Sequence, residues 1–292
     1  MVGLKIGGVP EHFNLPWRLA IEEGKFKEIG LDLHWSDMNG GTGQMARGLE
    51  TGSIDIAVIL TEGITKAILN GLQAKILDVY VDSPLIWGIH VPYESIYNTI
   101  SDLENKSFAI SREGSGSHLM TYLLAENMGW DNSKLKFNVV GDVYGGLWAL
   151  QNDASQAFLW ERYTTEPFCD LKKCRRIDTI STPWPCFAIA VRTDLLVEHQ
   201  TILEKMLEVI RRKSFEIMSN EDSAQIIAWR YNLKLDAVME WLKITHWSTS
   251  KSDSKDFTEV VNTLLRLDLI DKDQSMNWQT KLFTSYHSNK II

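Results

Sequence analysis

The first ninety residues alternate short apolar runs with amphipathic stretches, the pattern of βαβ units and a mainly parallel sheet. Leu4 to Val9 predicts a strand, and Leu15 to Glu28 an amphipathic helix that turns Trp17, Ala20, Ile21 and Phe26 toward a core until Gly30 stops it. Leu31 to Trp35 predicts a second strand, after which Asn39-Gly40-Gly41-Thr42-Gly43 makes a tight turn into a helix over Met45 to Glu50. Ile54 to Leu60 is almost continuously apolar, as expected of a strand buried on both faces. A helix over Ile64 to Leu69 then leads to strands at Ala74 to Tyr80 and Leu85 to His90.

From about Tyr93 the alternation restarts on a smaller scale. Strands at Ser107 to Ser111, Leu135 to Val140 and Ala157 to Trp160 are separated by helices over Ser117 to Met128 and Gly145 to Gln151. Two prolines in Thr182-Pro183-Trp184-Pro185 predict an extended crossing segment, and Phe187 to Val191 predicts a strand of the first kind. The remainder reads as helical: Ile202 to Met218, Glu221 to Tyr231, Leu235 to Leu242 and Phe257 to Leu265. This order predicts an α/β protein of two lobes, the first made of residues 1–91 and 186–292 and the second, inserted, of residues 92–185. The hinges are expected near residues 91–93 and 184–187. No repeat of 20 to 50 residues supports a solenoid or propeller.

Composition narrows the partners. With 292 residues, 44% of them hydrophobic, the chain is long enough to bury one large or two medium cores. A net charge of -8 with no Lys/Arg run argues against nucleic acid. No apolar run approaches the roughly 20 residues that span a bilayer, so no membrane insertion is expected. Met1-Val2-Gly3-Leu4-Lys5 lacks a basic segment followed by an apolar one. The chain as it stands is therefore expected in the cytoplasm, or in the periplasm or outside the cell if a signal peptide was trimmed. Cys169, Cys174 and Cys186 match no zinc or redox spacing; they read as free thiols, with a Cys169–Cys174 bridge open for an exported protein.

In an open parallel sheet, ligands sit beyond the carboxyl ends of the strands. Those positions carry Glu11, His12 and Phe13, then Gly40 to Gly43 including Gly41 and Thr42, then Thr61 and Glu62, in the first lobe. In the second they carry Arg112 to His118, Asp142 to Tyr144, and Trp160 with Glu161. The sharpest local signal is Ser111-Arg112-Glu113-Gly114-Ser115-Gly116-Ser117-His118, a Gly/Ser turn running into a helix. Its free N–H groups and serine hydroxyls suit a carboxylate, sulfonate or phosphate, while Ser115 or Ser117 also fits a plain helix cap. The glycines at 40–43 lack the Lys-Ser/Thr ending of a phosphate loop. Phe13, Tyr144, Trp160 and Trp184 are placed to supply flat apolar walls. Glu11, Glu62 and Glu161, if two of them line a water-poor cleft, favour a ligand with amino or cationic groups. His12 and His118 have no metal-ligand partner at the right spacing and read as hydrogen-bonding contacts, so no metal and no catalytic residue is expected.

Three segments carry a family resemblance. Ala20-Ile21-Glu22-Glu23-Gly24-Lys25-Phe26-Lys27-Glu28-Ile29-Gly30-Leu31-Asp32, Gly48-Leu49-Glu50-Thr51-Gly52-Ser53-Ile54-Asp55-Ile56-Ala57 and Ala188-Ile189-Ala190-Val191-Arg192-Thr193-Asp194-Leu195-Leu196 resemble, in order and spacing, the nitrate-, sulfonate- and taurine-binding proteins and the related fungal thiamine-pyrimidine synthases. The resemblance implies the two-lobed type II periplasmic-binding-protein fold with a ligand cleft between two α/β domains. It also implies ligand contact by the serine turn, and Glu161 matches an acidic position common in the thiamine-pyrimidine branch.

The synthases spend a lysine that binds pyridoxal phosphate and a histidine four residues on. Those positions align here with Ile59 and Gly63, with Lys66 the neighbouring lysine, and their cysteine-rich run aligns with Ser181-Thr182-Pro183-Trp184-Pro185. Without the amine and thiolate donors neither chemistry proceeds. The expectation is a small-molecule binder without turnover or cofactor, its lobes closing on a heteroaromatic or zwitterionic ligand such as a thiamine-pyrimidine-related compound. The alternatives are a synthase-like enzyme and the sulfonate- or nitrate-type receptor of an ABC importer, the latter requiring export and a permease partner.

Overall fold

The computed structural model describes residues 1–283, which divide into two compact units, one of residues 1–84 and 183 onward, the other of residues 85–182. The first unit begins with β1 (Val2–Gly8), α1 (Leu15–Glu22), α2 (Lys25–Glu28), β2 (Leu31–Asp37), α3 (Gly41–Thr51), β3 (Ile56–Leu60), α4 (Thr61–Leu69) and β4 (Ala74–Val81). The second holds β5 (Ile86–Val91), β6 (Ser107–Ile110), α5 (Gly116–Met128), β7 (Lys136–Val139), α6 (Val143–Gln151), β8 (Ala157–Glu161), α7 (Arg162–Asp170) and β9 (Arg175–Ser181). The chain then returns to the first unit with β10 (Phe187–Arg192), α8 (Leu195–Ser219), α9 (Ser223–Tyr231), α10 (Leu235–Ile244) and α11 (Thr258–Arg266), followed by two short helices.

Each unit contains a five-stranded sheet, ordered β2-β1-β3-β10-β4 in the first and β7-β6-β8-β5-β9 in the second. In the first, β1 runs parallel to β2 and β3, and β10 lies antiparallel between β3 and β4. In the second, β6 runs parallel to β7 and β8, and β5 lies antiparallel between β8 and β9. The two connectivities are equivalent, so β1, β2, β3 and β4 correspond to β6, β7, β8 and β9. In both cases the antiparallel strand is the one laid down just after the chain enters the unit. Central strands are apolar throughout, because helices cover both faces: Ile56, Ala57, Val58 and Ile59 are all buried, as are Ala188, Ile189, Ala190 and Val191.

The structure corrects the expected boundaries. The run of alternation places residues 85–91 in the first lobe, yet β5 pairs Trp87 with Glu161 and Ile180 in the second sheet. The crossings fall at Pro84/Leu85 and Thr182/Pro183. Leu85 N–H donates to Thr182 Oγ1 (2.9 Å) and Thr182 N–H to the Leu85 carbonyl (3.0 Å), which closes the second unit at its own ends. Trp184 consequently belongs to the first unit and not, as its position before residue 186 suggests, to the second.

Two helix boundaries also move. The stretch predicted as one helix to Glu28 breaks at Gly24, whose left-handed φ of 71° starts a second, short helix. The helix expected from Ile64 begins at Thr61, so Thr61 and Glu62 lie in its first turn and not in a loop.

Candidate functional site

At the end of β1, His12, Phe13 and Asn14 form a buried 3-10 turn directly before α1. The turn is fixed from three directions. Asn14 Nδ2 donates to the Val9 carbonyl (2.8 Å), while Tyr80 Oη on β4 and Trp247 Nε1 both donate to the Phe13 carbonyl, at 2.8 and 2.9 Å. Aromatic rings fill the space around it: His12 packs edge-on against Trp241 (4.2 Å between centroids), and Phe13 meets Phe187 and Trp241, each at 5.0 Å. Phe187 opens β10 and pairs with Leu60, so the turn after β1 abuts the end of β3. Burial without a counter-charge pushes His12 down to about 3, and it is a neutral imidazole at ordinary pH.

At the end of β3, Thr61 N–H donates to the Cys186 carbonyl (3.0 Å), tying the start of α4 to the segment that enters β10. Glu62, on the first turn, is 2% exposed. Its Oε2 accepts a hydrogen bond from Trp184 Nε1 (3.0 Å), and its Oε1 is buried with no hydrogen-bond partner among the described residues. Burial raises its carboxyl to about 7, against the opposing pull of its own backbone N–H and the Trp184 indole. Thr61 Oγ1, Thr65 Oγ1, His12 Nε2 and Asn14 Oδ1 are likewise buried without partners. Five unsatisfied polar atoms thus gather at the carboxyl ends of two hydrogen-bonded strands. Native interiors leave few such groups, and each costs about 1–3 kcal/mol.

Gly41 and Thr42 are half-buried at the start of α3, with Gly41 at φ 59°. A β-carbon at Gly63 would fall inside the van der Waals radius of Thr42 Cγ2, so Gly63 is what lets α3 and α4 approach. Gly63 is the position aligned with the synthase histidine; Ile59, aligned with the lysine, is fully buried in β3. Glu11 is half-buried at the start of the 3-10 turn and makes no side-chain cap bond there.

In the second unit the same strand ends are occupied differently. Ser111 N–H donates to Ser117 Oγ (3.0 Å), Ser115 Oγ lies 3.0 Å from Ser117 Oγ and caps α5 by accepting from His118 N–H (3.4 Å), and Gly114 N–H donates to His118 Nδ1 (2.8 Å). Gly116 opens α5, and His118 packs edge-on against Phe137 (4.4 Å). Asp142 caps α6 through Gly145 N–H (2.9 Å). Glu161 is buried and caps α7, its Oε2 accepting from Thr164 N–H (2.6 Å); burial raises its carboxyl and these backbone bonds oppose the rise. Trp160 is half-buried against Phe158 and the core of the second unit, and Tyr144 is exposed, edge-on to Phe168.

The structure therefore brings His12, Phe13, Thr61, Glu62 and Trp184 together at one set of strand ends. It places the serine turn and Glu161 at the equivalent ends of the other sheet. Tyr80, Trp247, Asn14 and Thr65 belong to the first set and are not singled out by the sequence: Tyr80 and Trp247 reach Phe13 from 67 and 234 residues away, and no local spacing announces any of the four. Among the described residues no group of His, Cys, Asp and Glu is placed to hold a metal, and no helix is long and apolar enough to cross a membrane.

Residues 87–180 match the model of a family described as Ca3427-like PBP. Comparison with curated proteins gave no match. Among solved structures, the Candida albicans CA3427 gene product, described as defining a family with the generic periplasmic binding protein fold, is similar with a TM-score of 0.88 and 23% identity, over 97% of this chain and 96% of that one. The alkanesulfonate-binding protein SsuA from Xanthomonas axonopodis pv. citri, bound to MOPS, gives 0.78 and 14% over 97% and 98%. The nitrate-binding protein NrtA from Synechocystis PCC 6803 gives 0.76 and 14% over 99% and 88%. With its two equivalent sheets, each carrying one antiparallel strand laid down at a crossing, the chain has the type II periplasmic-binding-protein fold.

Proposed function

We propose that the protein binds a small solute that donates hydrogen bonds at the strand ends of the first unit, and that it does so without turning the solute over. The observation that carries this reading is Glu62: a buried carboxyl with one oxygen held by Trp184 and the other unpartnered. An N–H or ammonium donor reaching Oε1 offsets the desolvation of that oxygen and favours the charged carboxylate. Phe187 and Trp241 pack on Phe13 at the same strand ends, the kind of apolar surface a flat ligand would meet there. Both features favour an amino-bearing heteroaromatic or zwitterionic compound, of the kind a thiamine pyrimidine represents.

A second reading rests on the similar structures, which include an alkanesulfonate-binding protein bound to MOPS and a nitrate-binding protein. In that case the protein is the anion receptor of an ABC importer, with the serine turn of the second unit as its anion contact and a permease as its partner.

Thermal-shift screening against aminopyrimidines, pyridoxal phosphate, amino acids, alkanesulfonates and nitrate separates the two, because a ligand that prefers the native state raises its melting temperature. The best hit is then titrated calorimetrically against Glu62→Gln. A donor-bearing ligand is expected, with affinity lowered roughly 10- to 100-fold in the variant. Stabilisation by sulfonate or nitrate alone, unaffected by the substitution, overturns the first reading in favour of the second.

A further inference from the structure

Cys169 lies in the last turn of α7, and Cys174 immediately precedes β9. Between them the chain doubles back. Leu171 N–H donates to the Pro167 carbonyl, Lys172 N–H to Cys169 and Lys173 N–H to Phe168, with Lys172 in the left-handed region at φ 57°. This helix-ending reversal returns the backbone over the turn it has just left. It sets the two Sγ atoms 3.4 Å apart, a separation that needs to shrink by only about 1.4 Å to reach a covalent S–S distance.

The two sulfurs are not equivalent. Cys174 is fully buried, clustered with Ala109, Leu147, Leu150 and Phe158, whereas Cys169 is half-buried at the margin of that cluster. Two nitrogenous side chains flank the pair. His90 on β5 is held by Thr165 Oγ1 (2.8 Å from Nε2) and the Phe158 carbonyl (3.2 Å from Nδ1), and Arg176 on β9 is paired with Glu166.

We propose that Cys169 and Cys174 form a reversible dithiol–disulfide couple, in which Cys169 is the nucleophile, Cys174 the resolving thiol, and a low-molecular-weight disulfide the oxidant. The electrostatics agree with the geometry. A hydrogen bond from the Cys174 thiol, aided by His90 and Arg176 and opposed by burial, holds the Cys169 thiol below the ordinary cysteine range, while its neighbour and burial hold Cys174 above it.

With glutathione disulfide, the Cys169 thiolate attacks one sulfur and breaks the S–S bond, giving a mixed disulfide and one glutathione thiolate. Cys174 then attacks Sγ of Cys169, loses its proton to solvent, and expels the second glutathione thiolate. The protein dithiol is oxidised by two electrons, glutathione disulfide is reduced to two thiols, and the two protons released by the cysteines are taken up by the glutathione thiolates as they protonate. The new bond fastens the end of α7 to β9, and α7 is the helix that Glu161 caps. The proposal is independent of the ligand reading.

The test equilibrates the whole protein in glutathione buffers of increasing oxidising ratio, then acid-quenches and alkylates it for intact-mass and peptide analysis. Cys186, fully buried in the first unit, is the internal reference. At the oxidising end one alkylated cysteine, Cys186, is expected, with a Cys169–Cys174 linked peptide that dithiothreitol reverses. Cys174→Ser is expected to accumulate a glutathione adduct on Cys169, and Cys169→Ser to form its adduct at least about tenfold more slowly. Three alkylatable thiols at every ratio in the folded protein, a linkage that includes Cys186, or equal adduct rates in the two variants overturns the proposal. The wild-type thiol count decides the matter even where a serine variant fails to fold.

Discussion

The carboxyl ends of the two sheets are built on one topological plan and use their polar residues in opposite ways. After β6 and β8, in the second unit, Ser115, Ser117, His118 and Glu161 are engaged by nearby backbone N–H groups and hold the turns that carry them. After β1 and β3, in the first unit, the turns are held instead by distant aromatic donors, Tyr80, Trp247 and Trp184. That arrangement leaves Glu62, Thr61, Thr65 and His12 with polar atoms unmatched inside the fold. A group that has satisfied itself contributes stability; one held buried and unsatisfied is available to a ligand and destabilises the protein that carries it.

The contrast can be broken first at Trp184. Trp184→Ala removes a buried ring and the indole donor to Glu62 Oε2, and is expected to cost about 3–5 kcal/mol in urea unfolding. A loss under about 1 kcal/mol would mean that the indole supports nothing.

Next in size is a pH effect. Because folding raises the Glu62 carboxyl from 4.5 to about 7, the native state keeps a proton that the unfolded chain has released between those values. Stability present at pH 4.5 is therefore lost as pH climbs through 7, by roughly 3 kcal/mol relative to Glu62→Gln. Taking the difference between wild type and variant at each pH cancels the opposite contribution of His12. That residue, depressed to about 3, makes the protein less stable as pH falls below 6.5. Parallel stability curves for wild type and Glu62→Gln would show that the carboxyl is solvated.

In the second unit the expected losses are smaller and purely structural. Ser117→Ala leaves the buried Ser111 N–H without its acceptor and should cost about 1–2 kcal/mol. Glu161→Ala removes the α7 cap and should cost about 1 kcal/mol. If calorimetry shows either variant weakening the ligand more than Glu62→Gln does, the division of labour between the two units is reversed.

Much of the fold was legible because strand burial is written locally. Ile54 to Leu60 reads as a central strand from its composition alone, and Phe187 to Val191 as a returning one. The ownership of β5 was not legible: its partners, Phe158 to Glu161 and Arg175 to Ser181, lie about seventy to ninety residues downstream, and its own residues would suit either sheet. At the site, sequence position alone identified Glu62 and His12, since strand ends can be counted. It could not show that Trp184, 122 residues away, donates to Glu62, or that the serine turn closes upon itself. Hydrogen-bond partners depend on how distant segments meet, and residue type leaves that choice open.

The position of β10 has a consequence for synthesis. It is an interior strand of the first sheet, between β3 and the edge strand β4, yet it follows the whole of the second unit in the chain. As the ribosome works from the amino terminus, the second unit has all its strands before the first has its keystone, a reversal of the usual amino-terminal-first order. A nascent chain arrested once β9 has emerged from the ribosome should therefore resist protease across residues 85–182 while remaining cleavable before Pro84. The strands made earliest wait longest for their partner, and chaperone contact during translation is expected to concentrate on them.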